Sequence, residues 1–398
     1  MSQQPISRSS DLQKLRNEGY DLEIRSGCLL VKDTPYVNSR KEVTRGILVM
    51  KLVLENDVTS RPDDHVAYFA GEYPCDEHGN EIAKIKNATG EKSLADGVVI
   101  QHTFSAKPKP EDTYADYHAK VTTYVSILSG PAWRIDPTAS AKTFPFVAPE
   151  ADSDEPFNYI DTASSRAEIV AVTKKLALAK VAIIGLGGTG SYVLDLVAKT
   201  PVRQIHLYDG DAFLQHNAFR SPGAASGKDL GAKHPKATYF KNLYAKMHRG
   251  IIDHPVYIDS DNVEELRGFD FVFLCLDKGS AKRLIVDKLE EFNVPFVDVG
   301  MGIQLTDGAL GGIVRVTTNT EKKRDHFRSR VSFGDGTGDN EYDRNIQIAD
   351  MNALNAALAV IKWKKWCGFY LDQEREHHSL YTIASNKLFN EDCIGGDL

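Results

Sequence analysis

Residues 181–191 read VAIIGLGGTGS: an apolar run that breaks into Gly185, Gly187, Gly188 and Gly190 before a helical pattern resumes with YVLDLVAK. A short continuous apolar run bounded by glycines reads as a buried strand, and the spacing after it reads as a helix. Glycines at such a junction permit a tight turn and let the backbone approach a phosphate. The helix start adds unpaired N–H groups and a partial positive charge. The plainer reading is a strand–helix turn that holds no ligand.

The rhythm around this stretch is consistent with it. Upstream, TASSRAEIVAVTKKLALAK predicts a helix. Downstream, QIHLYDGD predicts a strand, PKATYFKNLYAKMH a helix, HPVYIDSD and FDFVFLCLD strands, SAKRLIVDKLEEFN a helix, and VPFVDVG and LGGIVRVTT strands. Short buried strands alternating with amphipathic helices predict an α/β fold with a doubly wound, mostly parallel, Rossmann-like sheet. DRNIQIADMNALNAALAVIKWKKWCGFYLD then predicts a long helix, while EREHHSLYTIASNKLFNEDCIGGDL carries no clear pattern.

Polar residues collect at the predicted strand ends. Asp209 closes LYD, where an acid would also meet ribose hydroxyls in a dinucleotide enzyme. The segment it opens, DGDAFLQHNAFR, adds Asp211, Asn217 and Arg220. A dehydrogenase needs little polar hardware there, whereas triphosphate chemistry needs cations and a metal ligand around a leaving pyrophosphate. Lys236 opens the next helix, and a compact ammonium suits a phosphate clamp. Asp277 closes FLCLD, where a hard carboxylate oxygen suits Mg²⁺. Singly these are strand-end acids and solvated cations; in order along one sheet edge they predict a nucleotide site.

VAIIGLGGTGSYVLDLVAK, LYDGD, HNAFR, PKA and FLCLD resemble, in order, the adenylation domain of the ThiF/MoeB/ubiquitin-activating-enzyme superfamily, and VPFVDVGMGIQLTDGALGGIVRV resembles its paired late strands. The wording looks closest to bacterial ThiF-type proteins of ubiquitin-like operons, which carry an extra preceding domain. The resemblance implies ATP- and Mg²⁺-dependent adenylation of the C-terminal carboxylate of a ubiquitin-like protein ending in Gly-Gly. It implies the glycine turn and Asp209 on the nucleotide, Asn217, Arg220 and Lys236 on the phosphates, and Asp277 on Mg²⁺. It also implies a homodimer and a conjugating-enzyme partner. An arginine on the helix before the glycine turn serves the partner subunit in many members, which makes Arg166 the candidate. Departures from the pattern are Lys236 set a few residues late, with Lys233 in competition, and Lys278, Lys282 and Arg283 where an Asn and an Arg are common. Zinc-binding CxxC pairs are missing, so no structural zinc is expected. Activation of a sulfur carrier or a tRNA-linked carboxylate, a nicotinamide oxidoreductase and a non-catalytic scaffold are the alternatives.

Thioester transfer would need a cysteine. The stretch TTNTEKKRDHFRSRVSFGDGTGDNEYDRN, where relatives often carry one, has none. Cys275 reads as strand packing, Cys367 lies near the end of the long helix, and Cys393 falls in the tail. In the N-terminal part, Cys75 as an acyl acceptor is opposed by Asp76 and Glu77, which would raise its pKa. A metal site from His65, Cys75, His78 and His102 matches no defensible finger spacing.

The remaining chain frames this reading. Of 398 residues, 42% are hydrophobic and 26% charged, ordinary globular usage that excludes a disordered or collagenous chain. The net charge of −7 opposes general attraction to nucleic acid or anionic lipid. Five scattered cysteines exclude a disulfide framework. No signal peptide or spanning segment is visible, so the chain reads as soluble and cytoplasmic, with no membrane partner. YDLEIRSGCLLVK, EVTRGILVMKLVLE, DHVAYFAG and DGVVIQHTFSA predict strands separated by turns at DVTSRPDD, CDEHGN and NATGEKS, and EDTYADYHAKVTTYVSIL predicts a helix. Three parts are expected: a smaller β-rich α+β recognition domain over 1–143, an acidic linker over 144–158, and the adenylation domain over 159–398.

Overall fold

The computed structural model describes residues 4–109, 112–149, 155–277, 279–334 and 346–394. The chain divides into two compact units, one of residues 1–153 with 159–168 and one of 154–158 with 169–398. The stretch expected as a linker therefore contributes to both units. Phe157 pairs with His248 in the second unit, while the amide of Ile160 donates to Val147 in the first.

The first unit begins with helices α1 (Gln4–Arg8) and α2 (Ser10–Glu18). Strands β1 (Leu22–Arg25), β2 (Cys28–Val37), β3 (Val43–Lys51), β6 (Val66–Ala70), β7 (Lys86–Ala95) and β8 (Val98–Ser105) form an antiparallel sheet in the order β1-β2-β3-β6-β8-β7, with a two-residue ribbon of β4 (Leu54–Glu55) and β5 (Val58–Thr59) beside it. β7 corrects the turn expected at NATGEKS. This edge strand is polar, and its register against β8 is repeatedly interrupted, so it carries no alternation. Helix α3 (Tyr117–Ile135) starts where Asp116 accepts the amide of Ala119 at 2.7 Å. It runs through Pro131 rather than stopping before it. Buried Tyr117, Val121, Tyr124 and Leu128 seal one sheet face with Leu29, Val31, Leu48 and Phe69. A short helix, α4 (Thr162–Arg166), also belongs to this unit.

The second unit is the α/β fold expected. The helix predicted over 162–180 is broken: α4 lies in the first unit, and α5 (Val170–Thr173) with a 3-10 turn leads into strand β9 (Lys180–Ile184). Then come α6 (Gly188–Val197), β10 (Gln204–Tyr208), α7 (Gln215–Ala218), α8 (Gly227–Ala232), α9 (Lys236–Tyr244), β11 (Ile251–His254), β12 (Phe271–Leu274) and α10 (Gly279–Glu291). Strand β11 precedes the expected HPVYIDSD, which is mostly loop. Strands β13 (Phe296–Thr306) and β14 (Ala309–Asn319), helices α11 (Phe327–Arg330) and α12 (Ala349–Trp366), and strands β15 (Glu376–Thr382) and β16 (Lys387–Cys393) complete it. The segment without a legible pattern is thus a hairpin.

The sheet order is β11-β10-β9-β12-β13-β14-β15-β16, parallel through β13 and antiparallel beyond. Alternate residues divide between two cores, as strand geometry dictates. Val181, Ile183, Leu207 and Phe273 meet α6, α9 and Trp363 of α12 on one face, while Ala182, Ile184, Val272 and Leu274 meet α10 and Phe327 on the other. From β9 the chain runs outward through β10 to β11 and then crosses back to β12 on the other side of β9, so the strand order reverses there and a crevice opens at the carboxyl end of β9. No described helix is long and apolar enough to cross a membrane.

Candidate functional site

Four groups converge where β9, β10 and β12 end. The first is the glycine turn, whose glycines separate by function. Gly185 has φ of +89°, and a Cβ there would strike the Cys275 carbonyl. A Cβ at Gly190 would overlap the Gly185 carbonyl, and one at Gly188 would overlap the side-chain amide of Asn352. These three let strand and helices close on one another. Gly187 alone of the four faces open space, with nothing within 4 Å of its Cβ position. It is where the backbone can be approached.

The second group hangs on Asp209, 7% exposed. Its Oδ2 accepts the Leu186 amide at 2.7 Å and its Oδ1 the Asp211 amide at 2.9 Å. The acid thus ties the glycine turn to the end of β10 while keeping lone pairs for another donor. Lys236, at the start of α9 and 6% exposed, places its ammonium 3.7 Å from Asp209 and 2.7 Å from Asp211. Tyr257 donates its hydroxyl to the other oxygen of Asp211, and this bond pushes the phenol up to about 12. Lys233 instead ends α8 in a left-handed conformation, exposed.

The third group is α7 with the residues just beyond its end. Asn217 uses Oδ1 to accept the Leu214 amide at 2.8 Å, leaving its buried Nδ2 without a partner. Arg220 is half-buried, its Nε likewise has no partner, and it forms no ion pair among the described residues. Unsatisfied buried donors of this kind cost stability unless an acceptor arrives. The fourth group is Asp277, exposed beyond β12, whose Oδ2 meets Gln347 Nε2 at 3.5 Å.

Asn352, Gln347 and Tyr257 were not foreseen. Asn352 is fully buried on α12, accepts the Thr189 hydroxyl at 2.9 Å, and reaches the Arg220 carbonyl at 3.5 Å. Gln347 accepts the Gly188 amide at 3.4 Å. Asn352 and Asn355, two amides at helical spacing among the buried residues of α12, were the available signal.

The remaining candidates have contacts of their own. Lys282 is buried against Asp298 at 2.8 Å, and Arg315 holds the other oxygen of that acid at 2.5 Å. Arg283 stacks on Phe333, 5.3 Å from the ring centroid. Arg166 belongs to the first unit, its guanidinium 5.7 Å from the Phe144 ring centroid. Lys278 and the Gly-Gly of the tail lie outside the described residues.

The cysteines divide by environment. Burial, then Asp298, pushes the Cys275 thiol far up, and burial pushes Cys367 up to about 12. Cys75 bridges Val37 and Glu81 in the first unit, raised by burial and then by Glu81, Asp76 and Glu72. Cys393 is exposed, within β16 rather than in a loose tail. His65, Cys75, His78 and His102 form no metal-binding cluster, and no group of three or more His, Cys, Asp or Glu side chains among the described residues does.

Comparison with known proteins adds a family to this geometry. A model of DUF6791, a domain of unknown function, matches residues 10–162. The SUMO-activating enzyme subunit uba-2 of Caenorhabditis elegans is 25% identical over 130 residues, 32% of this chain and 22% of that protein, so the chain spans well under a third of this relative's length. Among solved structures, Escherichia coli MccB with MccA-N7isoASN is 19% identical with a TM-score of 0.46, covering 58% of this chain and 69% of that one. PaaA is 18% identical with a TM-score of 0.43, covering 56% and 75%. The ThiF family model matches residues 163–385, more than half of the chain, and the chain belongs to the ThiF family.

Proposed function

We propose that this protein adenylates the C-terminal carboxylate of a protein substrate, a ubiquitin-like protein ending in Gly-Gly, with ATP and Mg²⁺. The observation that carries the reading is the buried Lys236 ammonium, held by Asp209 and Asp211 beside the open backbone at Gly187 and the unpartnered donors of Asn217 and Arg220. Three donor side chains and an open glycine backbone at the carboxyl edge of a parallel sheet suit a triphosphate.

Gly187 leaves room for the nucleotide phosphates, and Asp209, with lone pairs to spare, accepts a ribose hydroxyl. Arg220, Asn217 and Lys236 take the charge that builds as the substrate carboxylate attacks the α-phosphorus and pyrophosphate departs. No protein nucleophile is required: the chain supplies position and a preorganised field. Asp277 would hold Mg²⁺, which when bound neutralises phosphate charge. Lys282, committed to Asp298, stays structural.

The test is ATP–pyrophosphate exchange by the purified full chain. Exchange that depends on a small protein with a free C-terminal Gly-Gly, and that vanishes when the terminus is amidated, supports the reading. Exchange that requires tRNA, or saturable NADH binding without ATP binding, replaces it with another.

A further inference from the structure

The first unit contains a cavity of about 330 Å³ that plays no part in the adenylation chemistry. One wall is the start of β1 with the end of α2; the other is the segment 145–148. The two walls touch at one end, where Tyr20 pairs with Lys142 and the amide of Phe144 donates to Gly19 at 2.9 Å. Beyond that point the segment leaves the sheet edge, and the gap opens. β1 is the terminal strand on this side, and no described strand pairs with its outer edge.

Arg16 lines this gap at 9% exposed. Its Nη1 donates to Ser7 Oγ at 3.2 Å, its Nε has no partner, and it makes no ion pair among the described residues. Burial pushes its pKa down. The neighbouring charges are already committed: Lys32 pairs with Glu23 at 2.5 Å, and Arg25 pairs with the same acid. Asp21 and Glu23 also line the cavity, and burial raises the Asp21 pKa above the ordinary carboxylate value. A buried cation without a counter-ion costs several kcal/mol and has no packing advantage over a methionine. An acceptor supplied from outside would satisfy the Arg16 Nε.

The shape narrows the ligand. An extended residue occupies about 3.3 Å of strand length, about 4.8 Å of sheet width and about 10 Å of depth, roughly 160 Å³. The cavity therefore takes about two residues. Apart from Arg16, Asp21, Glu23 and Lys32 its lining is chiefly apolar, and Phe146 is 75% exposed. We propose that the first unit binds an extended acidic peptide segment, which adds to the free edge of β1 and places one Asp or Glu carboxylate on the Arg16 guanidinium. Backbone pairing supplies attachment, and the planar fork of arginine selects the acid. This inference stands whether or not the second unit adenylates.

The experiment uses the full chain and a fluorescein-labelled octapeptide, Lys-Val-Thr-Val-Glu-Val-Thr-Lys, followed by anisotropy. Its Gln counterpart should bind at least tenfold more weakly. A version N-methylated at alternate residues, unable to pair with β1, should lose binding to a similar degree. Arg16→Gln should erase the difference between the Glu and Gln peptides, and Arg16→Lys should retain part of it. Urea unfolding checks that each variant is folded, and the wild-type peptide series decides the matter if either variant is not. Equal binding of the Glu and Gln peptides, or no binding by any peptide at millimolar concentration, overturns the proposal. So does undiminished binding of the N-methylated peptide, which would mark a pocket for free acids rather than for a strand.

Discussion

Replacing Lys236 with methionine removes the cation at the centre of the second unit's site while keeping much of its bulk. At 3.7 Å and an effective dielectric near 20, its attraction to Asp209 amounts to about 4 kcal/mol. The side chain of Asp211 is 53% exposed, so its closer contact is screened and contributes no more than about 1 kcal/mol. Desolvating the ammonium offsets part of both, and methionine packs better than a buried charge. The expected net loss of stability is about 2 kcal/mol, read as a lower urea midpoint at unchanged slope. The loss of activity should be larger, because a preorganised donor on developing charge supplies about 10²- to 10³-fold. ATP–pyrophosphate exchange should therefore fall by about that factor in a variant that remains folded. A folded variant exchanging within about threefold of the parent would refute the assignment of Lys236 to the phosphates, and with it the reading of the Asp209 pair.

Other expectations rest on particular contacts. Gly188→Ala should cost about 1–3 kcal/mol by driving a methyl into Asn352, and Asn352→Ala in the same chain should recover part of that loss in a urea double-mutant cycle; strict additivity would contradict the packing described. His206, stacked on His254 and held near 4 mainly by burial, must stay neutral in the folded state. Its contribution is complete above the unfolded value near 6.5 and disappears as pH falls toward 4, about 2–3 kcal/mol in all. His206→Asn should flatten the acid limb of the stability profile; an unchanged limb would place the titration elsewhere. Brief alkylation of the native chain at pH 8, located by mass spectrometry, should label Cys393 and spare Cys275 and Cys367, and rapid labelling of Cys275 would contradict its burial. Asp277→Ala should abolish exchange if this acid holds the metal, and exchange that keeps its Mg²⁺ dependence in that variant would assign the metal elsewhere.

Much of the second unit could be read directly because its strands are buried on both faces. VAIIG, HLYD and FVFL are continuous apolar runs, and their polar ends mark the carboxyl edge where a ligand meets such a sheet. What escaped notice depended on partners distant in the chain. Gly188 and Gly190 look like phosphate-loop glycines in sequence, yet their spatial reason is Asn352 and the Gly185 carbonyl. The edge strand β7 is polar because only one side of it is paired, so nothing in NATGEKS sets it apart from a turn. The predicted helix over 162–180 met the right periodicity but crosses between units, and tertiary packing overrode local preference. Arg16 escaped for a related reason: its isolation becomes visible only when β1 and residues 145–148 are seen side by side.

The position of α12 has a temporal meaning as well. Gly188 and Asn352 are separated by most of the second unit, yet they close on one another in the folded protein. During synthesis the chain emerges N-terminus first, at about 5–20 residues per second. The glycine turn therefore waits roughly ten to thirty seconds for the amide that backs it. Any nascent product stopped before α12 carries Asp209, Asn217, Arg220 and Lys236 without the amide that backs the glycine turn. Competence for the nucleotide is thus among the last properties this chain acquires.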